Sequence, residues 1–132
     1  MSPSLSKRGN GPEDFSAIAV PMLLMTGTDD QHFGSKESPE TRRGVFKGLT
    51  PLAVTSSTRH YELVFEGANH GAFSDRELSH ASNKIPHHHP AIQEISLKFW
   101  DSALLEDKEA SDWLNGEAPR SVLKSQDLWQ KK

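Results

Sequence analysis

Two short apolar runs constrain this chain more than any other feature. Each stops at a glycine and hands over to polar residues capable of chemistry. The first, Ala17 to Asp30, reads "AIAVPMLLMTGTDD"; the second, Arg59 to Phe73, reads "RHYELVFEGANHGAF". A continuous apolar run bounded by turn residues suits a strand buried on both faces of a parallel sheet. Pro21 belongs at the start of the first strand, because a central strand cannot lack a ladder donor further in. In the second, Tyr61, Leu63 and Phe65 alternate with Glu62 and Glu66, which predicts a second strand.

Between the runs lies "SPETRRGVFKGL", which predicts a helix capped by Ser38, with Pro39 at its first position and Val45, Phe46 and Leu49 as its apolar stripe. After the polar stretch "RELSHASNKIPHHHP" comes the strongest helical pattern, from Pro90 onward. Its apolar positions are Ile92, Ile95, Leu97, Phe99, Trp100, Ala103 and Leu104. "KEASDWLNG" extends it or adds a turn, with Gly116 as the stop. The order strand, helix, strand, long helix implies a parallel crossover and an α/β fold. Two strands cannot close a sheet or cover two faces, so the expected architecture is the C-terminal portion of a larger α/β unit with an incomplete sheet. Residues 1–16 read as coil or the remnant of a preceding strand region, 17–116 as the folded segment, and 117–132 as a loose tail.

Composition narrows the function classes. The chain has 132 residues, a formal net charge of -3 and no cysteine. One domain of roughly 100–200 residues fits that length. The charge gives no footprint for nucleic acid, and Lys7-Arg8, Arg42-Arg43 and Lys131-Lys132 are scattered. Thiolate catalysis and cysteine-based zinc sites are excluded. No signal-peptide core and no run near the ~20 residues of a membrane span is visible. The expectation is therefore a chain off the membrane and cytoplasmic by default.

Functional groups gather at the carboxyl ends of the strands in open α/β sheets. Asp29 and Asp30 follow the first strand and His70 the second. Neighbouring strands lie about 4.8 Å apart, so an acid and an imidazole can meet there. A carboxylate on one ring nitrogen fixes the tautomer and stabilises the protonated ring, and the other nitrogen then serves as a general base. The bland reading is a solvated turn histidine and turn-forming aspartates. Metal binding by Asp29, Asp30 and His70 lacks a compact ligand spacing.

"VPMLLMTGTDD" followed by "YELVFEGANHGAF" resembles the C-terminal part of the α/β-hydrolase superfamily, above all its bacterial dienelactone-hydrolase-like and acetylhydrolase-like members. The resemblance runs from about Ile18 to Trp100. It implies that Gly27-Thr28-Asp29-Asp30 places the catalytic acid on Asp30, and that Gly67-Ala68-Asn69-His70 places the catalytic histidine on His70. It further implies a carboxylic ester as substrate in an intact relative, and no cofactor. The Gly-x-Ser-x-Gly nucleophile motif, which precedes the acid in that superfamily, does not occur in this sequence. The chain alone is therefore expected to be inactive; the alternative is a truncated or degenerate non-catalytic interaction domain. Self-association through an exposed sheet edge is expected of such a segment. His87, His88 and His89 resemble a short metal-binding tract, able to hold adventitious nickel or zinc, and no physiological metal site is expected there.

Overall fold

Strand β1 (Leu23–Gly27) begins two residues after Pro21, which has no amide hydrogen to give a ladder. The computed structural model describes residues 11–31, 37–53, 56–73 and 85–132. Strand β2 (Tyr61–Phe65) lies parallel to β1, with Leu23 opposite Tyr61 and Gly27 opposite Phe65. The apolar residues Ala17 to Val20 stay outside the strand, and Val20 is exposed. The mixed helix-and-sheet architecture is that of an α/β protein.

Helix α1 (Pro39–Gly48) starts where expected. The Ser38 hydroxyl accepts from the Thr41 amide at 3.3 Å, and the Thr41 hydroxyl accepts from the Ser38 amide at 2.9 Å. This reciprocal capping satisfies two orphan donors. Val45, Phe46 and Leu49 pack with Leu24 in one core cluster. A second, larger cluster joins Met25, Tyr61, Leu63 and Phe65 to Ala91, Ile95 and Phe99 of helix α2 (His88–Leu104) and to Leu114 of helix α3 (Lys108–Asn115). Helices thus cover both faces of the sheet. Burying each large aliphatic side chain contributes roughly 1.5–3 kcal/mol.

Strand β2 is buried along its whole length, Glu62 included, because α1 covers that side of the sheet. Glu62 is held there by Arg43 Nε at 3.3 Å and Gln130 Nε2 at 2.5 Å. Burial pushes its carboxyl above the usual range, with Arg43 and Gln130 partly opposing this.

Residues 117–132, expected as a loose tail, form a 3-10 turn (Ala118–Ser121) and a strand, β3 (Leu128–Lys131). Strand β3 pairs antiparallel with β2, Val64 opposite Leu128 and Tyr61 opposite Lys131, giving the order β1-β2-β3. It closes the edge that β2 would leave open. The Trp129 ring stacks on Tyr61 at 5.3 Å, and Arg120 Nη1 donates to the Asp127 carbonyl at 2.8 Å.

Helix α2 begins at His88, before Pro90, and breaks at Leu105–Asp107, where Asp107 caps α3 through the Glu109 and Ala110 amides. Its buried positions are His88, Ala91, Ile95, Phe99 and Ser102. Leu97, Trp100 and Leu104, expected on the same apolar face, are exposed. The polar stretch between the second motif and α2 falls largely outside the described residues, which resume at Ile85. Among the described residues, no helix is long and apolar enough to cross a membrane.

Candidate functional site

The two motifs that end β1 and β2 interlock. A Cβ built on Gly27 would sit 2.0 Å from the Ala68 carbonyl oxygen, so only glycine permits this approach. The Thr28 amide donates to the Phe65 carbonyl at 3.0 Å, and the Asp29 amide to the Ala68 carbonyl at 3.1 Å. In return, the Gly67 amide donates to Thr28 Oγ1 at 2.8 Å. Gly67 has φ 69°, a left-handed conformation that turns the chain out of β2 and toward His70. The four residues from His70 to Phe73 then form a 3-10 turn.

This framework brings Asp30 and His70 together. His70 Nδ1 lies 3.0 Å from Asp30 Oδ1. Asp29 is exposed, while Asp30 is fully buried. Thr26 donates its hydroxyl to Asp30 Oδ2 at 2.9 Å. Arg42 Nε, itself buried, lies 3.2 Å from Asp30 Oδ1 and 3.2 Å from the Asp30 carbonyl oxygen. The guanidinium reaches Glu37 at 3.2 Å with its other end. A buried carboxylate beside a guanidinium acts as a hydrogen-bond acceptor. The imidazole nitrogen facing it must then carry the proton, which makes Nε2 the basic position of the neutral ring. The His70 side chain is 54% exposed, so the ring sits at the surface on a buried anionic support. Such a pair can take a proton at Nε2 and stabilise the resulting imidazolium.

The sequence reading missed Arg42. Its signal was present: positions 42, 45, 46 and 49 share one helical face, and a base on an apolar stripe needs a buried partner.

The histidine tract divides among different partners. His89 Nε2 lies 3.1 Å from the Ala72 carbonyl, joining α2 to the turn that begins at His70. His87 Nε2 lies 2.8 Å from Asp127 Oδ2. Asp127 is buried and also accepts from the Glu66 amide at 3.0 Å and the Lys124 amide at 2.8 Å. Its burial opposes ionisation, but these two amides and His87 prevail and hold its carboxyl below the usual range. His88 is buried against Phe65, ring centroids 4.5 Å apart, and neither ring nitrogen has a hydrogen-bond partner. Burial and the neighbouring His87 ring push the His88 imidazole below its ordinary value. The Asp127 carboxylate and the Glu66 carbonyl, the latter outside hydrogen-bond geometry, only partly oppose this. Asp127 has no counterpart in the sequence reading, because His87 and Glu66 lie far away along the chain.

Comparison with protein-family models, curated proteins and solved structures finds no match to this chain.

Proposed function

We propose that this chain is the acid- and histidine-bearing C-terminal segment of a serine-type ester hydrolase with an α/β-hydrolase fold. The observation that carries the reading is the contact of half-exposed His70, through Nδ1, with the buried Asp30 carboxylate at the ends of adjacent parallel strands. In the assembled enzyme, His70 Nε2 takes the proton of a serine hydroxyl as that oxygen attacks an ester carbonyl. Asp30 holds the ring and stabilises the imidazolium, and the ring then returns the proton to the leaving alkoxide. Carboxylic esters, acetyl esters or lactones are the substrate class. The serine would come from a Gly-x-Ser-x-Gly elbow outside this sequence.

The purified chain should hydrolyse p-nitrophenyl acetate no faster than free imidazole. The deciding experiment is to read the coding DNA upstream of Met1 and assay the product of any longer frame. A Gly-x-Ser-x-Gly motif there, with hydrolysis lost in both His70→Ala and Asp30→Asn, bears the proposal out. A longer product whose esterase activity survives both substitutions sinks it.

A second reading, a non-catalytic interaction domain, is favoured by Leu97, Trp100 and Leu104, exposed at i, i+3 and i+7 on α2. It predicts that charged substitutions at Leu97 and Trp100 alter the chain's association state on size-exclusion chromatography, while His70→Ala does not.

A further inference from the structure

We infer that His87, His88 and Asp127 form a binding site for a divalent transition-metal ion, zinc by preference. One ligand atom from each lies within 4.8 Å of the others. Three donors from two distant parts of the chain converge here: the first turn of α2 and the turn that precedes β3.

The unpartnered nitrogens of His88 point independently to a ligand. An imidazole buried to 1% exposure, with neither nitrogen hydrogen-bonded, forfeits its hydration with no compensating bond inside the protein. A metal ion supplies that bond. The chemistry of the set selects the ion: two imidazoles and one carboxylate suit zinc, whereas calcium and magnesium prefer oxygen ligands.

Binding an ion requires the three ligand atoms to settle onto tetrahedral spacing. Zinc bonds nitrogen and oxygen at about 2.0–2.2 Å, so tetrahedral ligand atoms stand roughly 3.3 Å apart. The His87–Asp127 pair, at 2.8 Å, must open by about half an ångström on that scale, and the wider pairs must close. The Glu66 and Lys124 amides already orient the carboxylate, as outer partners do in metal sites. The His87 side chain is 19% exposed, which leaves the cluster a route to solvent. Water can complete the fourth position. The bound ion would clip the start of α2 to the turn before β3, independently of any chemistry at His70.

The test uses the full chain without an affinity tag, stripped of metal and titrated with Zn²⁺ against a chromophoric chelator. One equivalent should bind, and Co²⁺ in its place should show the visible bands of four-coordinate geometry. His87→Gln and His88→Leu should each weaken binding by about 100-fold or more, beyond the 10–100-fold loss typical of an outer partner. His87 is partly exposed, so His87→Gln decides the matter if His88→Leu does not fold. His70→Gln and His89→Gln should leave the affinity within about twofold. The proposal is overturned by absence of stoichiometric binding, by unchanged affinity in His87→Gln, or by loss of binding in His70→Gln or His89→Gln.

Discussion

Two histidine–aspartate pairs flank the C-terminal end of β2, and they are built for opposite purposes. Asp30 and Asp127 are both buried. Asp30 shares its Oδ1 between a guanidinium and a half-exposed imidazole. Asp127 accepts from two backbone amides and contacts a largely covered ring, with a fully buried second ring beside it. The same two residue types thus give a half-exposed ring on a buried carboxylate in one place and a covered cluster in the other. Burial of the ring and the identity of the counter-charge decide the chemistry, and the pair alone does not.

The largest effect should come from Asp30→Ala. It removes the carboxylate that the buried Arg42 guanidinium faces at 3.2 Å, and losing one partner of a buried ion pair costs about 3–5 kcal/mol. A urea melt measures this, and a loss below about 1 kcal/mol would mean that Arg42 is not held by Asp30.

Asp127→Ala should cost about 2–3 kcal/mol by stranding the Glu66 and Lys124 amides. Its pH signature sharpens the contrast. The folded carboxyl titrates below its unfolded value of about 3.9. Its stabilisation is therefore complete above that value and lost as pH falls through the lower folded one. Stability measured across acid pH should decline less steeply in Asp127→Ala than in the parent; equal slopes would show that the amides do not hold the charge.

Gly27→Ala should cost about 1–3 kcal/mol through its clash with the Ala68 backbone. It should disturb the His70 ring signals in NMR spectra and leave those of His87 unmoved. Equal disturbance at both would merge the two sites into one unit. The smallest effect should be that of His70→Gln, within about 0.5 kcal/mol, because the side chain is 54% exposed. A cost above about 2 kcal/mol would make His70 a structural residue.

The sequence by itself determined the two strands, their parallel pairing, the Ser38 cap of α1 and the meeting of His70 with one of the two aspartates, Asp29 or Asp30. Each follows from short-range rules: apolar runs that end at glycines, a capping pattern, and strand ends placed side by side by the crossover between them. Tertiary structure alone decided the rest. Strand β3 has only two apolar residues in four, too weak a pattern to show until β2 offers it an edge and Tyr61 offers Trp129 a face. Glu62 finds Arg43 and Gln130 only once α1 and β3 lie against β2. Asp127 meets His87 across a sequence separation of 40, and no local periodicity encodes a contact at that range. Local sequence sets which backbone conformations are available, whereas burial and long-range pairing depend on which surfaces the folded chain brings together.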